Sequence, residues 1–296
     1  MSTAARAGTV TAAWWVRLLP DRRTRRLLVS ALPIVIFAVV AVVAPLVVPY
    51  NHIHTDLPDR LRPPGAILSN GAFALFGTDQ VGRDIAGQVL YGARISLTVG
   101  FATVAIAGTL GSAIGIAAGF IGGPVDALAM RTADVQLSLP AFLLAIFVAA
   151  VIGPSVTNVI VILALTRWVV FARVARSATL AVKEREFVDS ARVLGATGLR
   201  IVVHHIVPAT LTPLLVVATT QFGLVVLAEA SLSFLGLGVP LSVPSWGQTI
   251  ANGRDYLATA WWISTLPGLV LALVTISFGW FGDALRDHLD PHLRTQ

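Results

Sequence analysis

ISLTVGFATVAIAGTLGSAIGIAAGFI, residues 95–121, runs for 27 residues without a charged side chain. An α-helix needs roughly 20 mostly apolar residues to cross the hydrocarbon core of a bilayer. This stretch exceeds that length, so it can span with a tilt. Within it Gly111, Gly115 and Gly119 recur at intervals of four, with Gly108 and Ser112 as a neighbouring small pair. On a helix these positions form a strip of small side chains against which a second helix can pack closely.

Working outward, five further apolar runs have the character of spans: Ala31–Val48, Leu137–Ile152, Ser155–Ala172, Pro208–Leu235 and Trp261–Phe281. Only Gly153-Pro154 separates the third run from the fourth, a tight turn that leaves either two spans or one bent hairpin that does not cross fully. Pro140 and Pro267 mark kinks that membrane helices tolerate where neighbours satisfy the freed carbonyls. The whole composition agrees, since 56% of the 296 residues are apolar, 12% are charged and the mean hydropathy is +0.81. A soluble domain carries about 25% charged residues. The pattern therefore predicts an all-α polytopic membrane protein with six transmembrane helices. The absence of cysteine excludes disulfides, thiolate metal sites and cysteine nucleophiles.

Charge sets the expected orientation. Twenty arginines and one lysine face 15 acids, for a net charge of +6 and a pI near 10.9. With both termini in the cytoplasm, 16 of the 21 basic residues fall on the inner side, leaving Arg60, Arg62, Arg83, Arg94 and Arg254 outside. This count places Arg131, Arg167 and Arg173 inside, follows the positive-inside pattern and accounts for the basic pI without nucleic acid. Residues 1–30 form a cytoplasmic N-terminal segment. In it Trp14, Trp15, Leu18 and Leu19 share one helical face ahead of Arg22, Arg23, Arg25 and Arg26. That is the pattern of an interfacial helix, and a basic tail is the other reading of the same residues. The membrane domain covers residues 31–282 and a cytoplasmic tail covers 283–296.

Between the fourth and fifth spans the chain reads KEREFVDSARVLGATGLRIVVHHIVPATLTPL, residues 183–214. Phe187, Ala191 and Leu194 recur on one face of a short helix that Gly195 is placed to end. Leu199, Val202, Val203 and Ile206 outline a second helix, and Pro208 suits the first turn of the next span. Two short helices with apolar faces and basic flanks make a docking element for a soluble partner.

The triplet Asp189-Ser190-Ala191, Gly195 and Pro208, at this spacing, resembles the EAA loop of ABC-importer permeases. Asp189 stands where the family has Glu, and Ser190 where it has Ala, so the acid is kept but shortened. Three further segments are similar to permeases of the dipeptide/oligopeptide/nickel branch, in particular the second permease of each pair. They are LFGTDQVGRDIAGQVLYGARISLTVG (75–100), EASLSFLGLGVPLSVPSWGQTIANGRDYL (229–257) and FGDALRDHLDP (281–291). The resemblance implies that residues 183–208 hold a coupling helix seated in a cytoplasmic ATPase. Its contact residues would be Glu186, Phe187, Asp189, Ser190, Ala191, Leu194, Gly195, Leu199, His205 and Pro208. It also implies alternating access in the plasma membrane of a prokaryote. The implied partners are a homologous second permease, two ATPase subunits that carry ATP and Mg, and an extracytoplasmic binding protein. The implied cargo is a dipeptide or oligopeptide, with nickel or another small solute as the alternative.

The remaining candidates read as follows. Gly77, Thr78, Asp79, Gly82, Arg83 and Asp84 form an outer-face loop rich in turn residues, where Arg83 or Arg94 can pair with an aspartate. It is either a docking or gating element beneath the binding protein or a capped loop. Glu229, an acid inside the fifth span, either faces the translocation path or is a structural group bonded to a neighbouring helix. His52-x-His54-x-Asp56 supplies too few ligands for a metal site, so no metal is expected. A P-loop needs Lys followed by Ser or Thr, and the single lysine, Lys183, precedes Glu184. HExxH is absent, and no histidine falls in a span to serve as a base. Neither an enzyme nor a cofactor on this chain is expected. A secondary transporter or channel would need internal repeats or paired broken helices with midplane charges, and a membrane anchor would move nothing.

Overall fold

The computed structural model describes residues 22–47, 55–240 and 242–289. Helix α1, Arg22–Val47, leads through residues beyond the described set to a small lobe at 55–84. The lobe contains a single 3-10 turn at Leu57–Asp59 and a two-residue antiparallel hairpin. Its strands are β1, Ala66–Ile67, and β2, Phe73–Ala74, with Ala66 opposite Ala74. The long helix α2, Ile85–Ile121, follows. Next come α3, Gly123–Leu137; α4, Ala141–Ile152; and α5, Val156–Lys183. Two short helices, α6 at Glu186–Val193 and α7 at Gly198–Ile201, precede α8, Val207–Phe234. Helices α9, Trp246–Gly253, and α10, Trp262–Leu289, complete the described residues.

Five helices are long and apolar enough to cross a membrane: α1, α2, α5, the continuous α7–α8 stretch, and α10. A sixth crossing exists only as the pair α3 and α4, bent by 83°. This corrects the expected single span at Leu137–Ile152. Helix α4 covers only about 18 Å at 1.5 Å per residue, short of a bilayer core. The break falls at Ser138-Leu139-Pro140, where proline cannot donate to the helix ladder and disfavours helical geometry in the residue before it. Residues 123–136, between the second and third expected spans, are helical because Pro124 suits a first turn and ion pairs hold the polar face. Asp134 accepts from Arg173 Nη2 at 2.5 Å. Asp126 accepts from Arg176 Nε and, at 2.6 Å, from Nη2.

Other ends also move. Helix α2 starts ten residues ahead of the apolar run because the Asp84 carboxylate caps it, accepting from Gly87 N at 2.7 Å and Ala86 N at 3.4 Å. Helix α5 continues past Ala172 to Lys183, so Arg173 and Arg176 belong to it. Pro267 lies inside α10, and Pro213, unremarked in the sequence, lies inside α8.

Helix α2 is the hub, packing on α5, α8 and α1, while α10 packs on α8, α1 and α9. The small strip of α2 meets α5. A Cβ at Gly111 would strike the Trp168 carbonyl, one at Gly115 the Ala172 carbonyl, and one at Gly119 would lie 3.0 Å from the Arg176 carbonyl. Gly100 likewise admits the ring of Phe222, which stacks on Phe278 with centroids 3.8 Å apart. Outward-facing Leu32, Val35 and Val39 of α1, and Leu269, Leu273 and Ile276 of α10, are more than half exposed. In water this would drive association; against acyl chains it carries no penalty.

Candidate functional site

At the end of the bundle where α2 and α5 terminate, α6 and α7 form a compact cap. Val188 and Ile201 are buried with Ile206 against Ile116, Phe120 and Val182. Lys183, the single lysine, donates from Nζ to the Phe120 carbonyl at 2.7 Å. It thereby satisfies an open acceptor at the end of α2 with a charge of the sign that a helix C-terminus favours. The cap is anchored through its inner face, leaving the other face outward.

Gly195 closes α6 in a left-handed conformation, φ +83°. Its N–H donates to Arg192 O at 2.9 Å and the next N–H, of Ala196, to Ala191 O at 3.0 Å. This pair of bonds is a Schellman motif. A Cβ at Gly195 would meet nothing within 4 Å, so the glycine is required by backbone angle and not by space within this chain. Thr197 then caps α7 by accepting from Arg200 N at 3.4 Å.

The inner face of α6 differs from the expected one. Val188 carries the burial, whereas Phe187 is about half exposed and Leu194 is 87% exposed. Leu194 and Leu199 sit with Val193 and Val203 on the outward surface. Phe187 lies over the His205 ring at 5.7 Å. Glu186, Asp189 and Ser190 are exposed; Ser190 donates to Glu186 O, and Asp189 accepts from Arg192 at 2.9 Å. Alanine 191 is partly buried against the cap's core. Pro208 falls in the first turn of α8, as its sequence position suggests, and a π-helical turn at Val202–Ile206 joins α7 to that helix.

The opposite end holds the lobe and α9. Asp79 is fully buried and accepts from Val81 N, Arg83 N, Arg83 Nε and Gln88 Nε2, all at 2.7–2.9 Å. Asp59 is buried too, accepting from Ser69 N and, at 2.7 Å, from Ser69 Oγ. The Ser69 hydroxyl holds the Asp59 carboxyl below its ordinary range, with the Ser69 amide and Arg62 assisting against the opposing effect of burial. Burial pushes Asp84 up, partly offset by the Gly87 and Ala86 amides it caps. Thr78 gives its carbonyl to Trp262 Nε1 at 3.1 Å. A Cβ at Gly77 would lie 2.6 Å from the Arg62 carbonyl and 2.8 Å from that indole nitrogen. The predicted outer-loop residues thus come together as one cross-linked knot seated on α10. Of the two candidate arginines, Arg83 pairs with Asp79; Arg94 lies along α2 near Ala38 and Leu97.

Glu229 is fully buried in α8, with Ser96 of α2 donating to one oxygen at 2.9 Å and Ser233 to the other at 2.8 Å. Ser245, whose hydroxyl caps α9, is the third hydroxyl residue beside it. Three segments therefore converge on one carboxylate. Sequence reasoning missed Arg167. Placed inside by the basic-residue count, it lies in the body of α5, 16 residues before the helix ends. The hydropathy of the run hid it, and the continuation of the helix to Lys183 was the signal that would have shown its depth. His52 and His54 lie outside the described residues, as do Trp14, Trp15, Leu18 and Leu19. Among the described residues no group of three or more His, Cys, Asp or Glu is placed to hold a metal ion.

Comparison with known proteins agrees with this architecture. Residues 111–295 match the family model "Binding-protein-dependent transport system inner membrane component". The chain is 36% identical, over 97% of its length and 92% of the relative's, to the dipeptide transport system permease protein of Alkalihalophilus pseudofirmus. It is 37% identical to the di/tripeptide permease of Pseudomonas aeruginosa, covering 86% of this chain and 84% of that one. It is 40% identical to the nickel permease of Escherichia coli K12, covering 89% and 93%. The fold is also that of a chain in the inward-facing MetNI methionine ABC transporter, with TM-score 0.57 over 69% of this chain and 96% of the other at 18% identity. With its bundle, its cap and its matched sequence in agreement, the chain belongs to the binding-protein-dependent transport inner membrane components, in the branch shared by dipeptide and nickel permeases, as a multi-pass protein of the prokaryotic plasma membrane.

Proposed function

We propose that this chain forms half of the membrane path of an ABC importer for peptides, and that the cap formed by α6 and α7 is the surface on which a separate ATPase docks. The outward apolar face of the cap carries the reading. Val193 and Leu194 are each 87% exposed and Leu199 75%, beside Phe187, on an element whose other face is locked onto α2 and α5. Exposed apolar side chains on a rigid cap beyond the ends of spanning helices have no acyl chains to cover them, so a protein partner is the natural cover. The basic-residue count puts this end in the cytoplasm, where ATP and Mg on the partner would be available.

Movement of the partner would pass through the cap into three helices at once. Val188 packs against α2 and α5, and Ile201 lies on the continuous stretch that becomes α8. The π-helical turn at Val202–Ile206 lies between cap and span, where a register shift can be absorbed. Asp189 and Glu186 supply the acidic rim. A homologous second permease and an extracytoplasmic binding protein complete the assembly; the knot of Gly77 to Asp84 is the rigid surface offered to the binding protein. We read Glu229 as a group that positions α2 and α8 in place of a substrate contact, because it is fully buried and both its oxygens accept from serine hydroxyls. Relatives named for dipeptides and di/tripeptides support peptide cargo.

The test is the ratio of uptake to ATP hydrolysis in the reconstituted assembly. Replacing Leu194 and Leu199 together by Asp is expected to abolish ATPase copurification while leaving membrane insertion intact. Retained copurification with normal uptake would remove the cap from this role.

A further inference from the structure

Arg167 brings a full charge to the middle of the bundle. It stands 11 residues into α5, a depth of about 17 Å along the helix. Among the described residues its one hydrogen bond runs from Nη1 to Gln221 Oε1 at 3.5 Å, and Gln221 occupies the midpoint of α8. Arg167 Nε is buried without an acceptor, and the residue makes no ion pair among the described residues. The side chain is nonetheless partly exposed. A guanidinium open to hydrocarbon at this depth is disfavoured, so its open side belongs against water or protein.

A second observation points to the same place. Gln136, at the end of α3, donates to the Leu165 and Thr166 carbonyls at 2.9 and 3.3 Å and accepts from Trp168 Nε1 at 2.8 Å. The 83° break at Ser138-Leu139-Pro140 therefore lies beside the turn of α5 that holds Arg167, and all three residues are exposed. Non-helical backbone at membrane depth persists only where it lines a water-filled cavity or is covered by protein. Two features that hydrocarbon would reject lie side by side at mid-depth.

We propose that Arg167, with Gln221 beside it, binds the C-terminal carboxylate of a peptide as it passes the middle of the membrane; this rests on the peptide reading above. A guanidinium presents paired donors that match a carboxylate. The C-terminal carboxylate is the negative group that peptides of any side-chain composition share, so one arginine serves cargo of varied sequence. The Gln221 amide, already turned to Arg167, holds the guanidinium plane while its nitrogen remains available to the same carboxylate.

The experiment uses the complete assembly in proteoliposomes, with both permeases, the ATPases and a loaded binding protein, and follows a labelled tripeptide with a free carboxylate. Arg167→Gln is expected to lower uptake about tenfold, as for one lost charge-assisted contact. ATPase stimulation by the loaded binding protein should stay within about twofold, because the cap is untouched, and Arg167→Lys should keep more uptake than Arg167→Gln. Uptake by Arg167→Gln within twofold of the unaltered assembly would overturn the proposal. So would joint loss of uptake and stimulated ATPase, or loss of the second permease from the purified complex, since the counter-charge would then be a protein acid. If the unaltered assembly carries no peptide at all, the peptide reading itself fails.

Discussion

At the scale of single residues, glycines divide into those set by backbone angle and those set by space. Gly195 is the first kind: φ is +83° and nothing in this chain would meet its Cβ. A residue with a Cβ pays about 1–2 kcal/mol in that conformation, and Asn tolerates it better than Val. Gly195→Asn should therefore keep most of the uptake per ATP hydrolysed, and Gly195→Val should lower it several-fold. If Asn is as damaging as Val, an ATPase surface fills the space above the glycine. Gly115 is the second kind. Gly115→Val puts a branched side chain against the Ala172 backbone and should exceed the 1–3 kcal/mol typical of overpacking, seen as loss of folded protein in detergent. Gly279 of α10, with open space around it, should accept Ala with no loss of melting temperature, since Ala relieves the entropic cost of helical Gly.

At the scale of elements, the lobe at 55–84 is held by hydrogen-bonded carboxylates, two of which titrate with opposite signs. Asp59 lies below its ordinary range in the folded protein because Ser69 donates to the charged form. Its stabilisation is complete at neutral pH and is lost as pH falls through that lowered value. Asp84 is raised by burial, so protonating it favours the folded state as pH falls from its raised value to the ordinary one. Asp59→Ala should lower the melting temperature at neutral pH and flatten the fall in stability on the acid side, read by a pH series of thermal melts. A fall as steep as in the unaltered protein would place the acid sensitivity elsewhere. The sequence showed where spans lie because hydropathy is a property of composition. It misplaced their ends because those depend on contacts distant in the chain: the cap at Asp84, the ion pairs Asp126–Arg176 and Asp134–Arg173, and the break before Pro140. For the same reason the inward residue of α6 proved to be Val188. A short helix offers too few turns for periodicity to single out its buried side, and the choice was made by Phe120 and Val182.

At the scale of the whole molecule, the chain has an apolar flank, a cap of α6 and α7 at one end and a cross-linked knot at the other, with a charged, broken-helix region between them. The EAA-like spacing made the cap legible from sequence, since Gly195 and Pro208 do fixed backbone work. Arg167 was not legible in the same way, because a single arginine near the end of an apolar run looks like an edge until the helix is seen to continue. The most direct measurement is tripeptide uptake by proteoliposomes holding this chain with its second permease, ATPases and binding protein. Uptake should require ATP and Mg, should exceed any uptake of nickel, and should vanish when the ATPases are left out. Peptide uptake at an undiminished rate without ATP, or by this chain alone, would contradict the account.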